Sequence, residues 1–275
     1  MKIAFLGYGN VGAPLADPPQ RLGHEVTLAA ADPGSETVRK ARARNGALGV
    51  AAPRDALAGA GVVFLATPFQ ANQEVLAPLA ARLAGKVLVD CTNPVGPGLR
   101  DGLESRESGS QAVQRLVPEA RVVKAFSIYS FENFEDSAYP GYGVKPMMML
   151  CGDAPAAKKT VGELITQLGW DPLDVGGLDQ ALHLEHMTLL WVRMVRAGGA
   201  SPHLVWARLK ELDGGGCRRQ PGPARARMTG VARAVLRAPA GAVRDVHPGT
   251  LSNSVQNMEP NGRGRVAPLV IGRAL

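Results

Sequence analysis

Gly7, Gly9 and Gly12 follow directly on the apolar run Lys2–Leu6, spaced as glycine-x-glycine-x-x-glycine. That spacing suits the binding of a phosphate ester. The first glycine permits a tight turn, the second lets the backbone approach a pyrophosphate, and the third allows a helix to pack closely on the preceding strand. The N-terminus of that helix adds unpaired N–H donors and the positive end of its dipole. The motif alone is weak. Placed after an N-terminal strand and before a second strand at Glu25–Ala29, it predicts a dinucleotide site over Gly7, Tyr8, Gly9, Asn10, Val11 and Gly12.

Around the loop, two features depart from the simplest pattern. Pro18 and Pro19 fall inside the helix that should follow. Each removes a donor and costs about 3 kcal/mol in a helix interior, so the sequence predicts a break or kink near Asp17. Pro14 is tolerated, because it lies in the first turn. The end of the second strand carries Ala29-Ala30-Ala31, with Asp32 arriving late, where a carboxylate would select NAD through its ribose hydroxyls. Its absence favours NADP. Ser35, Arg39 and Lys40 are the nearby groups that could meet a 2′-phosphate.

The elements that must hold this loop in place are legible as short β-branched runs alternating with helical patterns. Strands are expected at 2–6, 25–29, 62–66, 86–90 and 121–125, with a weak one at 48–51 and added strands at 147–151 and 172–175. Helices are expected at 34–45, 70–83, 154–168 and 177–208. Strands that are apolar on both faces belong in a buried parallel sheet. The fold class is therefore α/β, a Rossmann-type doubly wound parallel sheet with a C-terminal helical extension. The expected organisation is a dinucleotide-binding domain over 1–150, a small C-terminal region over 151–212 packing on the cofactor cleft, and a tail over 213–275.

That tail concentrates the charge. Of 31 basic residues ten are arginines beyond Leu212, where only three of the 24 acidic residues lie, so residues 1–212 are balanced and the tail holds the whole net +7. Its Gly, Arg, Pro and Ala content, with little periodicity, predicts disorder; a frameshifted reading would give the same composition. A basic tail on a neutral body does not indicate a specific nucleic-acid partner. No apolar run approaches a membrane span, and the opening apolar run ends at Gly7, so a cytoplasmic protein is expected. Cys91, Cys151 and Cys217 form neither a disulfide framework nor a metal pair. His183, Glu185 and His186 lack the zinc-helix spacing; no metal is expected, and Glu185 reads as a surface residue. Trp191 and Trp206 read as packing anchors. Phe131, Phe134, Tyr139 and Tyr142 either form a platform for a flat ring or pin the loop 128–146.

Taken together, GYGNVG, ATPF at 66–69, DCTNP at 90–94, VVKAFS at 122–127 and CGD at 151–153 resemble the NADP-dependent oxidoreductases of the coenzyme F420-dependent type. The similarity continues through DVGGLDQA at 174–181 and LEHMTLLW at 184–191, and covers about residues 1–210. The cytosolic domains of membrane metalloreductases share this pattern. The resemblance implies that Gly7 to Val11 contact pyrophosphate, and that Thr67 and Pro68 border the path from adenosine to nicotinamide. Asn93 and Pro94, with Ala125 and Phe126, would line the nicotinamide pocket. Family members commonly carry an arginine where this chain has Ala31, and lack Pro18-Pro19. The expected activity is hydride exchange between NADP(H) and a small-molecule redox acceptor, coenzyme F420 or a flavin. The alternatives are an NADPH-dependent reductase of free flavin or metal complexes, and a non-catalytic dinucleotide sensor. Hydride transfer demands proximity more than an acid or base, so no catalytic residue is assigned. Paired C-terminal helices would suit a homodimer.

Overall fold

The computed structural model describes residues 1–209. The tail expectation for 213–275 and Cys217 lie outside the described residues. In chain order the elements begin with β1 (Lys2–Leu6), α1 (Gly12–Arg21), β2 (Glu25–Ala29), α2 (Glu36–Arg44), β3 (Gly49–Ala51), α3 (Pro53–Ala58) and β4 (Val62–Leu65). A broken helical stretch follows, with α4 (Asn72–Leu76) and α5 (Ala80–Leu83) flanked by single 3-10 turns. Then come β5 (Val87–Asp90), a small antiparallel pair β6 (Val95–Gly96) and β7 (Arg100–Asp101), α6 (Gly109–Leu116) and β8 (Arg121–Lys124). β9 (Met147–Gly152), α7 (Pro155–Gln167), β10 (Asp171–Asp174) and α8 (Ala181–Val192) complete the order.

Eight strands form one sheet in the order β10-β9-β8-β5-β4-β1-β2-β3. From β3 to β8 every pairing is parallel, the doubly wound Rossmann arrangement, and its strand order reverses between β1 and β4. The departure from an all-parallel sheet is β9, which runs antiparallel to β8 while β10 runs parallel to β9. Continuous burial along β4 and β5 reflects helices on both faces. An aromatic row, Phe5 on Phe64, then Phe126, then Phe134, fills the layer around the central strands, with centroids 4.7, 5.6 and 6.2 Å apart. The sheet runs on through position 150, where a domain boundary was expected, because β9 spans it.

Three expectations about helices need correction. α1 does not break at Asp17: it continues through Pro18 and Pro19 to Arg21. Both prolines fall in its last turn, so only the bonds to the carbonyls of Pro14 and Leu15 are forfeited. The Leu22 N–H closes the end on Pro18 and Pro19, both at 3.1 Å, and Leu15, Ala16, Asp17 and Pro19 are buried. Packing outweighs the two lost donors. The helix expected over 70–83 is split by Pro78 into two short pieces. The helix expected over 177–208 is α8 followed by one π turn, Arg193–Ala197; Gly198 and Gly199, the latter at φ +72°, end it. Residues 201–209 instead return beside β9, where the Met147 N–H reaches the Trp206 carbonyl at 2.8 Å. α3 and α6 escaped the sequence reading because they are short, six and eight residues. Among the described residues no helix is long and apolar enough to cross a membrane.

Candidate dinucleotide site

The glycine loop leaves β1 at Gly7, whose φ of +95° only glycine adopts without strain. A Cβ there would also lie 2.7 Å from the Ala66 carbonyl oxygen, so Gly7 lets the loop pass against the end of β4. Gly12 lets α1 close on the strand: a Cβ there would lie 2.2 Å from the Gly7 oxygen. Gly9 differs from both, because a Cβ at Gly9 would meet nothing within 4 Å. The space above Gly9, at the start of α1 and at the switch point of the sheet, is open. Gly9 and Asn10 are exposed, Tyr8 and Val11 half-buried. These three glycines thus serve three separate purposes: a turn against β4, an open space, and a close helix–strand contact.

Beneath the loop, Tyr8 donates its hydroxyl to Asp17 Oδ1 at 3.2 Å. Asp17 is buried in α1 and accepts from Arg44 Nε through Oδ2 at 2.5 Å. Burial, with Asp17 next to it, pushes the Tyr8 phenol up to about 12. Arg44 also pairs with Glu135 at 2.8 Å. A cleft of about 280 Å³ lies here, lined by Gly9, Asn10 and Pro14 on one side and Phe131, Glu132 and Glu135 on the other. Its two carboxylates would repel an anion if left free. Arg44 neutralises Glu135 and Arg196 neutralises Glu132.

A larger cleft of about 660 Å³ opens at the ends of β1, β2 and β3. Leu6, Ala29, Ala31, Val75 and Leu79 are among its walls, so Ala31 does face it. Ser35 does not stand free: it caps α2, its Oγ accepting from the Val38 N–H at 3.4 Å. Arg39 donates to the Gly34 carbonyl at 2.6 Å, and Lys40 pairs with Glu36 at 2.7 Å.

Beyond β4 and β5 the edge becomes polar. Thr67 follows β4 against Gly7 and donates to Asn72 Oδ1 at 2.9 Å; Asn72 donates onward to Thr92 Oγ1 at 3.0 Å. Pro68 begins the helical stretch after β4. Asn93 accepts from Ser127 Oγ at 2.9 Å, and Ser127 lies 2.9 Å from Thr188 on α8. The structure therefore joins the Asn93 loop to the segment after β8 that contains Ala125 and Phe126. Both of those are buried, and Phe126, at φ +51°, sends its ring into the aromatic row. The Phe126 ring is therefore taken up by the core.

Under this loop lies a group that sequence reasoning missed. Lys124, fully buried, sits 3.3 Å from Glu185 and 3.6 Å from Asp90, and donates to the Thr92 carbonyl. Asp90 accepts from Thr92 Oγ1 at 2.7 Å and Ser110 Oγ at 2.6 Å. Glu185 accepts from the backbone N–H groups of Gly109 and Ser110 at 2.8 and 3.2 Å, at the start of α6. Burial works against the Lys124 ammonium, but Asp90 and Glu185 outweigh it and hold its pKa above the usual lysine value. Glu185 is thus an internal brace rather than a surface residue. A lysine inside the apolar run VVKAF, and an aspartate closing VLVD, were the available signals, since an ion buried in a sheet must be paired.

The remaining candidates separate. His186 meets Ser105 Oγ at 2.8 Å and stands 3.7 Å from Asp101. Burial pushes the Cys91 and Cys151 thiols up, Cys151 to about 12. Trp191 is buried, donating to the Leu204 carbonyl at 2.7 Å. Phe131, Phe134, Tyr139 and Tyr142 form no single platform. Phe134 belongs to the core, Phe131 borders the glycine-loop cleft, and the two tyrosines line another cleft with His203 and Leu204.

Residues 2–94 match the family described as NADP oxidoreductase, coenzyme F420-dependent. The chain is 32% identical to a crystal structure of a candidate F420-dependent NADP reductase from Arthrobacter sp. FB24, with a TM-score of 0.64, over 72% of this chain and 95% of that one. It is 31% identical over 188 residues to the metalloreductase STEAP3 of Rattus norvegicus, covering 68% of this chain and 36% of that protein. Over 145 residues it is 30% identical to the F420-dependent NADP reductase of Methanocaldococcus jannaschii, covering 50% of this chain and 64% of that one. The chain therefore spans about a third of the rat protein and under two thirds of the archaeal one.

Proposed function

The chain belongs to the coenzyme F420-dependent family of NADP oxidoreductases, and from that premise we propose that it exchanges a hydride between NADP(H) and a deazaflavin or flavin-like acceptor. The observation that carries this reading is the opening above Gly9, flanked by two glycines whose own Cβ positions are filled by backbone. In this reading the pyrophosphate rests on the backbone of Gly7 to Gly12 and the first turn of α1. The adenosine half occupies the cleft walled by Ala29, Ala31 and Val75. Thr67 and Pro68 border the connecting path, and Asn93 with the Ala125–Phe126 backbone flanks the nicotinamide. Ser35 contributes near the ribose through the turn that it caps.

The bound nicotinamide supplies the hydride. The chain's part is to fix position and exclude water. A donor carbon must come within about 3–3.5 Å of its acceptor, and such alignment accounts for much of the acceleration available. Asn93, held by Ser127, is fixed in orientation, and Ser127 is in turn placed by Thr188. The brace of Asp90, Lys124 and Glu185 holds the same loop from below. No acid or base is required of the protein for the hydride step itself.

The test is to mix the protein with NADPH and, separately, a deazaflavin, a free flavin and a ferric chelate, following absorbance of each. Oxidation of NADPH with the deazaflavin or flavin is expected. Turnover confined to ferric complexes would favour the second reading, a metal reductase, which the likeness to the rat metalloreductase supports. Tight NADPH binding with no oxidation by any of the three would identify a dinucleotide-binding protein without catalysis.

A further inference from the structure

We infer that Arg54, rather than any residue of the β2–α2 turn, is the cation that recognises the 2′-phosphate of NADP; this rests on the dinucleotide reading above. The turn itself is poorly equipped. Ala31 has no charge to offer, Ser35 is engaged as a helix cap, and Lys40 is paired with Glu36. Arg39 holds one guanidinium nitrogen on the Gly34 carbonyl of its own turn.

The neighbouring strand supplies what the turn lacks. β2 and β3 are in register through Leu28 with Val50 and Ala29 with Ala51, and the Ala30 N–H bonds the Ala51 carbonyl at 2.9 Å. The chain leaving β3 is thereby held beside the chain leaving β2, and Ala52, Pro53 and Arg54 emerge next to Ala30 and Ala31. Pro53 fixes the backbone at the entry to α3. Arg54 and Ala31 line the same cleft of about 660 Å³, and Arg54 is the one cation among the residues that line it. Among the described residues it makes no ion pair, whereas Arg44 and Arg196 at the neighbouring glycine-loop cleft are both paired. A guanidinium free to swing into an open cleft can meet a phosphate with two parallel N–H donors.

Asp55 and Glu74 line the cleft as well. Without Arg54 the cleft would carry only negative charge, and it would reject a 2′-phosphate while still accepting a ribose hydroxyl. Arg54 therefore decides between the two cofactors, and does not merely add affinity.

The experiment is calorimetric titration of the full chain with NADP, NAD and the fragment pair adenosine 2′,5′-bisphosphate and AMP, using wild type, Arg54→Gln and Arg54→Lys. Arg54→Gln is expected to weaken NADP and the bisphosphate by roughly ten- to a hundredfold, leaving NAD and AMP within about twofold. Arg54→Lys should retain part of the preference, since the charge remains and the fork is lost. Equal losses for NADP and NAD would show that Arg54 acts on the adenine, and unchanged NADP binding would place the phosphate elsewhere; either overturns this assignment while the dinucleotide reading stands. Wild type that binds neither NADP nor NAD would overturn both.

Discussion

The C-terminal edge of the sheet has two halves built on opposite principles. Around β1, β2 and β3 it is made from Gly7, Gly9, Gly12, Ala29 and Ala31, residues with almost no side chain, and it is open. Around β5 and β8 it is made from Asp90, Thr92, Lys124 and Glu185, all buried and bonded to one another. The first half makes room by leaving atoms out. The second fixes a loop by pairing its buried charges and bonding its polar groups to one another, which is the condition under which a buried ion is tolerated. The contrast implies different responses to mutation: the β5–β8 half should fail by unfolding, and the glycine half, wherever its space is open, by losing its ligand.

The largest effect should come from Lys124→Met. It leaves Asp90 and Glu185 buried without their cation, a situation that costs about 3–5 kcal/mol. Urea unfolding would measure it. Adding Glu185→Leu should restore part of the loss, because one of the two stranded carboxylates is then gone. A loss under about 1 kcal/mol for the single variant would mean that the group is not the brace described.

Next in size are two glycine variants that separate space from packing. Gly9→Val should abolish dinucleotide binding, a hundredfold or more on a scale where each 1.4 kcal/mol is about tenfold. Its unfolding midpoint should barely move, since its Cβ meets nothing. Gly12→Ala should instead destabilise the fold by about 1–3 kcal/mol, its methyl being driven into the Gly7 carbonyl. Gly9→Val with unchanged binding by calorimetry would remove the proposed pyrophosphate site.

How much of each half was legible in the sequence follows from the range of its interactions. The glycine loop is a local object: its three glycines answer to the turn, the opening and the helix within six residues, so their spacing together with the strand before them made the loop legible. The strands were found for the same reason, by their apolar runs. The polar brace is not local. Glu185 reaches Gly109 across 76 positions, and Lys124 reaches Thr92 across 32. The types of residue were visible, but not their partners. Pro18 and Pro19 misled in the other direction, because local propensity predicted a break that the buried face of α1 overrides. The direction of the Phe126 ring was not legible either: its backbone has a positive φ and its ring packs against Phe64 and Phe134.

A smaller effect tests the floor under the glycine loop. The Tyr8 phenol, buried beside Asp17, should titrate at about 12 instead of its ordinary 10.0. The folded chain holds this proton more tightly than the unfolded one. Its contribution to stability is therefore complete below pH 10.0 and is lost as pH rises through about 12. Ring-carbon NMR of Tyr8 would read the value directly. Asp17→Asn should lower it only part of the way, because burial is the larger cause and remains. A complete return to 10.0 would mean that Asp17, and not burial, sets the value.

The smallest expected effect is a gain, at the cleft wall that contains Ala31. Ala31 is exposed and lines the large cleft, so an arginine there has room and faces the same space as Arg54. A charge-assisted contact contributes about 1.5–3 kcal/mol when it replaces nothing. Here it would join a cation already present and face Asp55 and Glu74, so Ala31→Arg should strengthen NADP binding by only several-fold. NAD should be nearly unchanged, since it lacks the extra phosphate. In the Arg54→Gln background the same substitution should gain more, because the first cation no longer shares the load. Dissociation constants for both cofactors, measured at one salt concentration in all four combinations, decide the matter. Equal gains for NADP and NAD, or none for NADP, would mean that Ala31 looks away from the ribose phosphate and that the open half is read at the wrong wall.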